Sequence, residues 1–171
     1  MEHGALRALE FDRIVEAVCG FALTPMGRER LERLAPTGDP ARVAQLLQET
    51  SECVAYISKH GLFPMRAAAG LPEILAALAV EGRALEPLRL LGLASFLESV
   101  DETRAAIRRV AAQFPLLDRA SGAAASFKGE IAQARAKIDP SGDVVDEASP
   151  ELKSIRDRLR KQRTRLRGTL E

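Results

Sequence analysis

Apolar residues recur along most of this chain at spacings of three to five, the signature of helices that bury one face. Leu6, Leu9, Ile14, Val15 and Val18 form a first stripe that stops near Gly20. Thr24-Pro25 then sets a capping hydroxyl before a proline at the first helical position, with Leu31 and Leu34 on the apolar side and Ala35-Pro36 as the stop. Asp39-Pro40 repeats that start signal, and Val43, Leu46, Leu47, Val54 and Ile57 keep helical period until Lys59-His60-Gly61. After a Leu62 to Gly70 connection, Pro72 opens a short helix carrying Ile74, Leu75 and Leu78 that ends at Gly82. Glu86-Pro87 begins a longer one lined by Leu88, Leu91, Phe96, Leu97, Val100, Ile107 and Val110 before Phe114-Pro115. Gly92 weakens it by about 1 kcal/mol relative to alanine. Between Leu116 and Gly129 the pattern fits a loop or a small packed helix, and Phe127, Ile131 and Ala134 then resume the helical period up to Lys137.

The habit breaks between Ile138 and Asp146. Asp139-Pro140-Ser141-Gly142 is turn chemistry and Val144-Val145 is a β-branched pair, which together predict a small two-stranded hairpin. Ser149-Pro150-Glu151 caps another helix, in which Leu152, Ile155, Leu159 and Leu166 repeat as a coiled-coil seam with Gln162 in the remaining position. The heptad pattern persists at Leu170, so the helix is expected to continue past the end of this chain. The predicted fold is all-α: a helical core over residues 1–137, a small β-hairpin or turn connection over 138–148, and the start of a basic coiled-coil helix over 149–171.

At 171 residues, 46% hydrophobic and 29% charged, the composition is globular and long enough for a core without metal or disulfide staples. No run reaches the roughly 20 apolar residues of a membrane span, and Met1-Glu2-His3 is no export signal. Two cysteines, Cys19 and Cys53, fit small core residues in a reducing cytoplasm. The formal charge of +1 is uneven: from Glu151 to Glu171 eight basic residues face three acids, leaving a net −4 on the first 150 residues. A mildly acidic body thus carries a basic arm.

Candidate chemistry is sparse. No phosphate-cradling Gly-x-x-x-x-Gly-Lys loop or dinucleotide fingerprint occurs, and the two histidines, His3 and His60, stand apart, His60 where a cation suits a helix C-terminus. Asp139, Asp143, Asp146 and Glu147 lack the order of a calcium loop and suit turn and cap duties. No enzymatic activity is therefore expected of these residues. In the arm, Lys153, Arg156, Arg160, Arg163 and Arg167 form one stripe, at about 100° per residue, to one side of the leucine seam, while Arg158, Lys161 and Arg165 lie to the other. The five-residue stripe suits a phosphate backbone, each arginine offering a fork to phosphate oxygens. A solvated face whose acids come from a partner helix is the alternative. No aromatic lies in the arm, which disfavours base stacking.

Leu9-Glu10-Phe11-Asp12-Arg13-Ile14, Thr24-Pro25-Met26-Gly27, Glu49-Thr50-Ser51-Glu52, and the run from Gly142 through Glu147 to Leu152, with Ile155-Arg156 behind it, occur in an order that resembles the amino-terminal part of the bacterial MutS-two family. That family is the mismatch-repair paralogue lacking the mismatch-reading domain. The last stretch is the most specific. The resemblance implies a helical core that leads, through a small hairpin, into the first lever helix of a clamp. It also implies a parent that is an ABC-type ATPase using ATP and Mg, dimerising around branched DNA to suppress homologous recombination. Such parents usually carry an Smr endonuclease domain and act on stalled or collided ribosomes, so DNA repair, rRNA binding and ribosome rescue are all implied. The ATPase and nuclease motifs would lie beyond Glu171, so the resemblance transfers no active-site residue and no cofactor to this chain. The expected role is a non-catalytic base of such a machine, touching branched DNA or the ribosome. The alternative is a structural helical module whose seam mediates self-association without nucleic acid.

Overall fold

A computed structural model describes residues 8–68 and 70–170; the predicted positions His3 and Leu6, and the side chain of Leu170, lie outside them. The described residues form eight α-helices: α1 (Phe11–Cys19), α2 (Pro25–Glu32), α3 (Pro40–His60), α4 (Leu71–Leu78), α5 (Pro87–Arg108), α6 (Pro115–Gly122), α7 (Lys128–Lys137) and α8 (Pro150–Leu170). A 3-10 turn, Asp146–Ala148, precedes α8. The start signals act as their chemistry requires. The Thr24 side chain accepts the Gly27 N–H at 3.0 Å and the Asp39 carboxylate accepts that of Ala41 at 3.0 Å, each ahead of a proline whose missing N–H loses no helical bond. The ambiguous stretch after Leu116 resolves into α6, whose first turn receives the Glu52 carboxylate from α3: the Leu117 N–H donates to it at 2.8 Å.

The core is strung along α5, which packs against α4, α6 and α7. Near its start, Leu93 joins Leu71 and Ile74, with Met26, Leu85 and Phe96 around them. Near its end, Ile107 joins Tyr56 and Phe114, with Phe63 and Leu117 alongside. Ser99, fully buried between the two clusters, accepts the Arg66 N–H at 3.0 Å and donates to the Phe96 carbonyl at 2.7 Å, pinning the α3–α4 connection to α5. Paired Arg66–Glu102 and Arg135–Glu98 side chains close the same seams from outside.

The accessible surface is 12816 Å², against roughly 8,000 Å² for a compact monomer of this mass. Many large apolar side chains are part of that surface. The α3 stripe of Val43, Leu46, Leu47, Val54 and Ile57 is helical as predicted but exposed, and only Tyr56 of that helix is buried.

The predicted β-hairpin is not formed, and among the described residues there is no strand. One isolated antiparallel bridge joins Ile138 to Val144, with N–H groups donating from Asp139 to Asp143 at 2.9 Å and from Val145 to Lys137 at 3.0 Å. The β-branched pair cannot extend a ladder. Lys137, the next position on one side, is the last residue of α7, and two residues past Val144 the chain winds into the 3-10 turn, while the Val144 carbonyl, which faces away from Ile138, accepts the Arg156 guanidinium at 2.7 Å. Local propensity is overridden by the helical turns that flank the bridge on both sides.

Candidate nucleic-acid interface

The basic stripe lies on α8, which among the named elements packs only against the 3-10 turn at its root. The root is built residue by residue. Asp139 folds the turn, its carboxylate accepting the Ser141 hydroxyl at 2.6 Å and the N–H groups of Ser141 and Asp143 at 2.9 Å. Those bonds, the Ser141 hydroxyl foremost, hold its carboxyl below the usual aspartate range. Gly142 closes the turn at φ +91°, and a Cβ there would lie 2.4 Å from Cγ of Leu88 on α5, so the turn rests directly on the body. Ser149 then caps α8, its hydroxyl accepting the Leu152 N–H at 3.1 Å ahead of Pro150.

Asp146 is the hinge pin. It accepts Arg156 at 2.6 Å and also Arg160, two positions one helical turn apart, and its own side chain is only 23% exposed. The two guanidiniums, Arg156 first, hold the Asp146 carboxyl below its ordinary range, and Asp146 in turn pushes Arg160 further up. Arg160 also meets Asp157 at 3.0 Å, and Lys153 lies 3.5 Å from Glu147.

The five stripe residues therefore divide. Lys153, Arg156 and Arg160 are engaged by acids of the turn and of α8 itself, whereas Arg163 and Arg167 form no ion pair among the described residues and stand exposed further along the helix. The seam beside them is open as well, with Ile155 and Leu159 each 47% exposed and Leu166 64%. The sequence reading missed that the acids nearest the stripe come from the turn just before it, and the signal was present: Asp146 and Glu147 lie within one short connection of Lys153.

The remaining candidates take structural places. Cys19 is buried against α2, and burial, then Glu52 and Glu49, pushes the half-buried Cys53 thiol up, away from nucleophilic use. His60 ends α3 with its ring 5.0 Å from Tyr56 and 5.6 Å from Phe114. Among the described residues no helix is long and apolar enough to cross a membrane, and no three His, Cys, Asp or Glu side chains gather as a metal site.

No protein-family model matches the chain. Curated relatives do. The chain is 32% identical over 181 aligned positions to Endonuclease MutS2 of Geobacillus thermodenitrificans, and 33% identical over 184 to that of Geobacillus sp. strain WCH70. It is 30% identical over 176 to the Putative endonuclease MutS2 of Bacillus subtilis. Each alignment covers the whole chain but only 22% of the relative.

Proposed function

The chain belongs to an amino-terminal region of the MutS-two family, and from that premise we propose that it is the non-catalytic helical base that aims a basic arm at the phosphate backbone of branched DNA. The observation that carries this reading is the division of the stripe: Arg163 and Arg167 have no acid among the described residues, while the cations nearer the root do. An arginine so placed releases counterions when it meets a phosphate, which makes affinity salt-dependent and indifferent to sequence. ATP hydrolysis with Mg, strand cleavage, homodimerisation and action on stalled ribosomes would belong to the rest of the complete protein. Ribosomal RNA presents the same phosphates, so it is the second substrate to compare.

The test is binding of a labelled four-way DNA junction across a salt series. Arg163→Ala is expected to lower the slope of log affinity against log salt by about one unit and to weaken junctions of any sequence alike. An unchanged slope refutes docking through the arm. A second reading, self-association through the seam, is favoured by the exposure of Ile155, Leu159 and Leu166. Concentration-dependent dimerisation with no junction binding would establish it in place of the first.

A further inference from the structure

A second group of unpaired cations lies away from the arm, in a groove of about 620 Å³ between the end of α5 and the start of α7. Asp101, Arg104 and Arg108 lie on one face of α5 at helical spacing, Arg109 follows at the helix end, and Ser126 and Lys128 form the opposite wall. The walls are tied together. The Ser126 hydroxyl donates to Asp101 at 2.8 Å and Arg104 donates to the Ala124 carbonyl at 2.8 Å, so the loop between α6 and α7 is held against α5. Four cations therefore share the groove with one carboxylate, and that carboxylate already accepts a hydroxyl.

None of Arg104, Arg108, Arg109 and Lys128 forms an ion pair among the described residues, unlike Arg66 and Arg135 on the same body. The helix dipole explains only part of this. Arg108 and Arg109 suit the C-terminus of α5, but Lys128 is the first residue of α7, where the dipole disfavours a cation, and Phe127 before it supplies no side-chain cap. Glu130 in the first turn of α7 already complements the dipole, so it is Lys128 itself that favours an anion at the mouth of the groove. The surrounding 150 residues are net acidic, so a local excess of positive charge stands against the charge of the body.

We propose that this groove is a second phosphate site, taking the phosphodiester backbone of the same nucleic acid that meets the arm; the inference rests on the reading of the arm and extends it to the body. Arg108 and Arg109 both line the groove, each offering a fork to phosphate oxygens, and an open groove admits a continuous chain. Bound at two separated places, a branched junction is held in orientation, which a single basic helix does not achieve.

The experiment compares the chain with Arg108→Ala/Arg109→Ala and with Arg163→Ala/Arg167→Ala for binding of a fluorescein-labelled four-way junction over a salt series. The groove variant is expected to lower the salt slope by about two units, and Arg108→Lys/Arg109→Lys to keep it near the parent value. Both positions are exposed, so unchanged helicity by circular dichroism accompanies either result. A parental slope in the groove variant beside a reduced slope in the arm variant overturns the groove and leaves the arm reading standing. A reduced slope in the groove variant alone supports the groove and sinks the arm. Failure of the parent chain to bind the junction overturns both. Saturable binding of ATP at constant ionic strength, lost in the groove variant while its junction slope is unchanged, assigns the groove to a free phosphate compound and also overturns the proposal.

Discussion

Replacing Gly142 and Gly92 with alanine, one at a time, should move stability in opposite directions. At Gly142 the backbone holds φ +91°, and the added Cβ would lie 2.4 Å from Leu88 Cγ and 2.7 Å from Cδ2. The left-handed conformation costs an L-residue about 1–2 kcal/mol. Leu88 is exposed and its end can swing, which adds about 0.5–1.5 kcal/mol of rotamer strain. The expected loss is therefore about 1.5–3.5 kcal/mol. Gly92 lies within α5 and nothing stands within 4 Å of its missing Cβ, so alanine there gains about 0.5–1 kcal/mol of helix propensity. Urea unfolding followed by circular dichroism reads both as shifts of midpoint at constant slope. Repeating Gly142→Ala in a Leu88→Ala background separates the two contributions, because only the backbone cost should survive. A Gly142→Ala midpoint at or above the parent refutes the reasoning, and an equal cost in both backgrounds refutes the steric half of it.

Asp139 and Asp146 are both held below the ordinary aspartate range in the folded chain, so the stability they contribute is complete above an unfolded value of about 4 and is lost as pH falls through their lowered folded values. Asp146→Asn is accordingly expected to lower the melting temperature at neutral pH and to converge on the parent in acid; a difference that stays constant down to about pH 2 would count against the clamp. Ser99→Ala leaves the part-buried Arg66 N–H without its partner and is expected to cost about 0.5–1.5 kcal/mol in chemical unfolding, with a loss under about 0.3 kcal/mol as the contrary result.

What was legible in the sequence was local. Thr24-Pro25 and Asp39-Pro40 announce helix starts because the capping oxygen and the proline act within three residues of themselves. The burial of a stripe is a different matter. Val43, Leu46 and Leu47 have the same spacing as a core face, yet spacing only says that a face exists, and covering it needs an element that periodicity does not name. The hairpin was misjudged for a related reason. Val144-Val145 has the propensity of a strand, but its partner segment is still helical at Lys137 and its own continuation winds into a 3-10 turn at Asp146, so only one pair can form. The groove was invisible because it exists only where α5 and α7 pack, and a charge count over 150 residues averages its four cations into a net acidic body.

The stretch that resembles the family most specifically is, in three dimensions, a fastener. Asp139 folds the turn, Gly142 lets it rest on Leu88, Ser149 caps the helix that follows, and Asp146 grips that helix at two residues one turn apart. Gripping two residues instead of one matters, because a single ion pair leaves a helix free to rotate about the contact. With Arg156 and Arg160 both held, the face of α8 that meets the turn is fixed, and the stripe continues along that face past the point where the turn ends. Arg163 and Arg167 are thus displayed on a face whose direction is set at the root. Loss of Asp146 should therefore weaken nucleic-acid binding without removing a single contact to phosphate: affinity falls while the salt slope keeps its parental value. Loss of Arg163 lowers both. A fall in slope for Asp146→Asn as large as for Arg163→Ala would show that the root cations dock directly and that the clamp is not what aims the arm.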